Sequence, residues 1–379
     1  MRILIAGDFA PKDRTAVQID KGDYSCLEEI KSIVRGVDYA IINLEAPVVI
    51  REAKPIAKTG PNLCCSERAM ECLAQTGFKC VTLANNHFRD QGQIGVEDTL
   101  SACLKYEMDY VGGGKNLAEA QQVLYKDING KTVAIVNFCE NEWSIAGEVF
   151  GGSAPLNLVW NYHTIQEARK QADYVLVIVH GGIEGSQYPT PRMVDTYRFF
   201  IDAGADAVVN HHQHCYSGYE EYKGKNIFYG LGNFCFDWDG KRGDNWNEGY
   251  MVLLIFQDDR MKFEVIPYIQ CDEKAAVILM NGVKRRTFDD NIKAINTVIS
   301  NRKRLESQMD AIAKATGESR LNHFEPFKNR IVRKLQKWGA LPSFIDESTL
   351  MITNNIIRCE SHREILLRAF RNRLAKFQP

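Results

Sequence analysis

From residue 1 to about 250 the chain alternates short, continuously apolar runs with amphipathic stretches, as buried strands alternate with helices in an α/β protein. "RILIAG" (2–7), "DYAIINL" (38–44), "CVTLA" (80–84), "YVLVIV" (174–179) and "DAVVN" (206–210) predict strands covered on both faces. The clearest helix follows Pro191: Met193, Val194, Tyr197, Phe200 and Ile201 form one apolar face, and Gly204 stands just past its end. Two hairpins are predicted, "VLYKDINGKTVAIVNF" turning at Asn129 and Gly130, and "GYEEYKGKNIFYGLGNF" turning near Gly224. A third antiparallel pair lies in "MVLLIFQDDRMKFEVIPYI", so the sheet is mixed. Gly112, Gly113 and Gly114 predict a tight strand-to-helix turn rather than a phosphate loop, since no P-loop lysine follows. After about residue 275 charged helical stretches take over, dividing the chain into a domain over 1–275 and a helical region over 276–379.

Composition adds constraints. With 379 residues and 45% hydrophobic content the chain can bury a large core. Its charge is close to balanced, but from Lys284 onward 20 basic residues face 10 acidic ones, leaving 27 basic and 38 acidic before them. A basic tail can dock on an acidic polymer, lipid or nucleic acid; helices with solvated basic faces are the more ordinary explanation and the favoured one. Nucleic acid is disfavoured, because acids interleave the bases and no recognition motif is present. Eleven cysteines without a CxxC pair fit a reducing compartment. The opening apolar run of about five residues is too short for a signal peptide or a membrane span. A cytoplasmic protein without a transmembrane segment is the expectation; oligomeric state is not legible.

The chemistry sits where the strands end. Asp8 follows the first, Glu45 the second, Asn85, Asn86 and His87 the third, His180 the fourth, and His211, His212 and His214 the fifth. Each alone has an ordinary explanation as a cap, turn or core residue. Jointly, beyond the carboxyl ends of α/β strands, they describe a ligand site. Oxygen and imidazole donors without thiolate suit Mn²⁺, Fe²⁺, Zn²⁺ or Ni²⁺, and a bridging carboxylate can hold two such ions about 4 Å apart. On extended chain His212 and His214 would project to one side, and His211 with Gln213 to the other.

In their order and spacing, "AGDFAP", "NLEAPV", "KTGPNL", "TLANNHFRDQG", "VHGGIE", "IDAGADAVVNHHQH" and "NIFYGLGNFCFD" resemble the CapA family of poly-γ-glutamate and capsule biosynthesis proteins, a branch of the calcineurin-like metallophosphoesterases. The resemblance covers about residues 1–240. It implies a four-layer α/β/β/α metallophosphoesterase-like sandwich, here with a C-terminal helical appendage, and a dinuclear centre of divalent ions (Mn, Zn, Fe or similar). By the same resemblance Asp8 binds the first metal, Glu45 bridges, Asn86, His180 and His212 bind the second, and His214 completes the first. His87 stands beside the leaving group, and Glu184 matches an acidic position near metal-bound water or substrate. Lys58, Thr59 and Gly60, and separately Tyr188 and Arg192, are candidate substrate contacts.

The sequence departs from that pattern at several positions. Ala10 replaces the histidine of the usual Asp-x-His, so the first metal has one ligand fewer; Asn210 and Gln213 replace Gly and Pro of "GHHPH". The resemblance implies a metal-dependent hydrolase of a phosphoester or related bond in capsule or poly-γ-glutamate metabolism, with an acidic polymer or a phosphorylated or sugar substrate. The alternative is a non-catalytic accessory protein that binds metal and an acidic polymer.

Overall fold

The computed structural model describes the chain except residues 258–259, 322–323, 326, 328 and 375–379. It divides into two compact units, Met1–Leu305 and Glu306–Pro379. The first unit is built on two large sheets. In one, the parallel strands Arg2–Phe9, Tyr39–Leu44, Cys80–Thr82 and Asp109–Val111 lie side by side, and Glu248–Gln257, Arg260–Gln270 and Val277–Leu279 extend it antiparallel from the first strand. In the other, the parallel strands Lys131–Cys139, Tyr174–His180, Ala207–His211 and Lys225–Phe228 form the centre, edged by Leu124–Ile128 and Tyr219–Tyr222.

Side-chain alternation shows how the sheets are layered. Ile3 and Ile5 face a core shared with Ile135, Leu176 and Val209 of the second sheet, whereas Leu4 and Ala6 face a core with Leu27, Met70 and Leu73 of the outer helices. The second sheet is covered on its far side by the helices Leu158–Gln171 and Pro191–Asp202, through Ile165, Val194 and Phe200. The result is the α/β/β/α sandwich, in which every central strand is covered on both faces and therefore reads as continuously apolar.

The five strand runs fold as expected, as do the hairpins. Asn129 and Gly130 (φ 55° and 77°) make one left-handed turn, and Lys223 and Gly224 (φ 51° and 74°) make the other. The helix Pro191–Asp202 is capped by the Thr190 side chain, which accepts from the Met193 N–H, and stops at Gly204 (φ 121°). The first compact unit continues past residue 275: the helix Gly282–Ile299 buries Phe288, Ile292, Ile295 and Ile299 in the shared core. The second unit is helical throughout its described elements. Among the described residues no helix is long and apolar enough to cross a membrane.

Candidate metal centre

The parallel strands of both sheets deliver their carboxyl ends to one place. Asp8 and Asn43 are register partners in the first sheet, and His180 and His211 in the second. Gly7 makes this possible: the register with the neighbouring strand skips it, and a Cβ there would lie 2.0 Å from the Gly232 carbonyl oxygen. The skipped residue re-aims Asp8 from the sheet toward the second sheet's histidines.

Two groups of side chains converge around Glu45. Ligand atoms of Asp8, Glu45 and His214 lie within 4.8 Å of one another, as do those of Glu45, His180 and His212, and all of these residues are buried. His180 Nε2 is 3.0 Å from Asn86 Oδ1, 3.0 Å from His212 Nδ1 and 3.6 Å from Glu45 Oε1. His214 Nε2 is 4.0 Å from Glu45 Oε1, while its Nδ1 is 2.9 Å from Asn233 Oδ1. Asn233 donates from Nδ2 to the His214 and Trp246 carbonyls, which turns its oxygen toward the ring. The His214 Nδ1–H therefore donates to Asn233, and Nε2 is left with its lone pair facing Glu45. Trp246 and Phe236 pack against this ring at 4.8 and 5.4 Å between centroids.

Electrostatics reinforces the geometry. Both Glu45 oxygens are buried and without a hydrogen-bond partner. Burial, and then the charge of Asp8, pushes this carboxyl well above the ordinary range. Burial also opposes ionisation of Asp8, but neighbouring His211 and His214 and the 2.8 Å hydrogen bond from Asn43 Nδ2 hold it below the ordinary value. Burial and the surrounding imidazoles press His180 well down and His212 to about 4. Neutral imidazoles and a carboxylate with unused lone pairs are what a divalent cation requires, so the residues present fit two such ions sharing Glu45.

The remaining sequence candidates are placed differently. His87 is buried beside Asp90, its Nδ1 2.6 Å from Asp90 Oδ2 and 3.1 Å from Lys58 Nζ. Lys58 also contacts Asp90, both side chains being almost wholly buried. Among the described residues Nε2 of His87 has no hydrogen-bond partner. Burial holds His87 below its ordinary value despite Asp90. Lys58 thus serves an internal ion pair, and Arg192 is likewise taken, by Glu140. Glu184 is exposed and hydrogen-bonds to none of these side chains, yet its charge raises Glu45 and Glu142.

The histidines do not alternate along an extended chain. The strand ends at His211, and His212 and His214 take left-handed backbone, φ 96° and 57°. Extended-chain alternation does not apply there, and His211 turns toward the site: its Nδ1 lies 3.0 Å from Asp8 Oδ1 without hydrogen-bond geometry. Asp90, Asn43, Asn233 and Glu142, whose Oε1 is 3.6 Å from His212 Nε2, escaped the sequence reading. "NNHFRDQG" and "GLGNFCFD" contain two of them, but their roles depend on contacts between distant segments.

Residues 2–238 match the family described as bacterial capsule synthesis protein PGA_cap. The chain belongs to this family. It is 34% identical over 216 residues to the capsule biosynthesis protein CapA of Bacillus anthracis, covering 55% of this chain and 53% of that protein. The chain thus spans about half the length of that relative. It is 31% identical over 277 residues to the PGA biosynthesis protein CapA of Bacillus subtilis (strain 168), covering 71% of each. A solved structure of a hypothetical protein from Thermus thermophilus aligns with a TM-score of 0.46 at 15% identity, over 71% of this chain and 99% of that one. The family assignment agrees with the motifs, including "NLEAPV" and "NHHQH", that supply Glu45, His212 and His214.

Proposed function

We propose that the chain is a metal-dependent hydrolase acting on a phosphoester or related bond in capsule or poly-γ-glutamate metabolism. The observation that carries this reading is Glu45, a fully buried carboxyl with two unpartnered oxygens, set between a group completed by Asp8 and His214 and one completed by His180 and His212. Asn86 joins the second group through its 3.0 Å approach to His180. Two divalent ions, of the Mn, Zn or Fe class, would supply Lewis-acid activation of water and neutralise charge developing on the scissile group.

The chain's own residues do the rest. Asn233 holds the His214 ring in one tautomer, and Asn43 orients Asp8. Asp90 holds His87 by Nδ1, leaving Nε2 to carry a proton to the leaving group. Glu184 and Glu142 add negative charge that favours cation binding.

Buried Ala10, which offers no ligand atom, is the one observation favouring a non-catalytic metal- and polymer-binding accessory role. Assays on phosphomonoesters, phosphodiesters, carboxyl esters and γ-glutamyl amides with Mn²⁺ or Zn²⁺ separate the two. Turnover abolished by His87→Ala and by His180→Ala is expected. Metal-loaded protein inert on the whole panel would overturn the hydrolase reading.

A further inference from the structure

The helix Arg330–Lys337 of the second unit has a side-chain distribution that the candidate metal centre does not use. It forms for local reasons: the Asn329 side chain accepts from the Ile331 N–H at 2.8 Å, and Gly339 (φ 71°) ends it. At about 100° per residue, Ile331, Val332, Leu335 and the following Trp338 fall in one sector. Arg330, Arg333, Lys334 and Lys337 fall in the opposite one, and no acidic residue lies between 330 and 338. None of the helix's residues is buried; Ile331 is 68% and Trp338 65% exposed.

We propose that this helix docks the protein reversibly on an anionic membrane surface. An apolar sector ending in a tryptophan inserts at the level of the headgroups, while the four cations beside it pair with lipid phosphates. Lys334 Nζ already lies 4.6 Å from the Trp338 ring centroid, which places a cation at the border of the two sectors. A purely ionic partner such as an acidic polymer would use the basic sector and leave Ile331 and Trp338 in water, so the paired sectors favour lipid.

The test is co-sedimentation of the full chain with vesicles of phosphatidylcholine alone and of phosphatidylcholine mixed equally with phosphatidylglycerol, alongside binding to poly-γ-glutamate in the same buffer. Two variants accompany it, Ile331→Ser with Trp338→Ala, and Arg333→Gln with Lys334→Gln and Lys337→Gln; their exposed positions spare the fold, checked by circular dichroism. Binding to the anionic vesicles only, released by high salt and weakened at least about tenfold in each variant, is the expected result. Equal binding to both vesicle types, no vesicle binding, or binding to poly-γ-glutamate alone that the apolar variant leaves unchanged would each overturn the proposal.

Discussion

Replacing Glu45 with glutamine tests the site without requiring a substrate. In metal-free protein the Glu45 carboxyl is buried, has no hydrogen-bond partner and sits beside Asp8, so its ordinary value of 4.5 is pushed well up. A carboxyl raised on folding costs no stability below its unfolded value and a growing amount as pH climbs toward its folded one. At about pH 7.5 that cost is capped near 4 kcal/mol, about three pH units at 1.36 kcal/mol each. The glutamine amide keeps the shape but leaves its own polar atoms unpaired, returning about 1–3 kcal/mol. Metal-free Glu45→Gln should therefore be more stable than the parent at pH 7.5, by at most about 3 kcal/mol, or up to roughly 8 °C in the first unit's melting temperature. As pH falls toward 4.5 the cost of the parent's charge disappears while the amide's unpaired atoms remain, so the order of stabilities should reverse. With metal at about 100 times its Kd the parent gains about 2.7 kcal/mol, and the variant should gain much less. Calorimetry at both pH values, with and without Mn²⁺ or Zn²⁺, reads all these differences. A metal-free variant less stable than the parent at pH 7.5, or equal stabilisation of both by metal, would refute the reasoning.

Further expectations follow from other contacts. Asp90→Asn leaves Lys58 as an unpaired buried cation and should cost about 3–5 kcal/mol in urea denaturation, with part restored by adding Lys58→Met; under the hydrolase reading kcat should also fall about a hundredfold. Asn210→Gly removes hydrogen bonds to the Gly181 and Tyr229 carbonyls and the acceptor for the Tyr197 hydroxyl, so about 2–3 kcal/mol should be lost while metal content, measured by elemental analysis, stays unchanged. Burial keeps His180 and His212 neutral, whereas unfolded histidine charges near 6.5, so below that pH the unfolded state takes up more protons. In the Glu45→Gln background, which removes a carboxyl of opposite sign, metal-free stability should fall as pH drops from about 6.5 to about 4, less steeply once His212→Asn is added; melting temperature against pH reads both slopes.

The strands were legible because both faces of each sheet are covered, which writes the strand into the sequence as an unbroken apolar run. Asp8, Glu45, Asn86, His180, His212 and His214 were legible because parallel strands carry their last residues to a common edge. The orientation of His211 was not, since it depends on where the strand stops: the left-handed backbone at His212 and His214 carries no compositional mark of the kind glycine supplies. Lys58 and Asp90 read as loop residues because their ion pair joins segments far apart in the chain. Asn210, which departs from the family's glycine, has a packing explanation visible only in three dimensions, the hydrogen bonds to Gly181, Tyr197 and Tyr229. The helix Gly282–Ile299 carries its four core residues at helical spacing, but its charged outer face dominates the composition and masks its membership of the first unit.

The central claim, a pair of cations sharing Glu45, is tested most directly by metal stoichiometry. Purified chain would be stripped, reloaded with Mn²⁺ or Zn²⁺, freed of excess and subjected to elemental analysis beside Glu45→Ala. Two ions per chain are expected in the parent and no more than one in the variant. One ion or none in the parent, or two retained by Glu45→Ala, would contradict it.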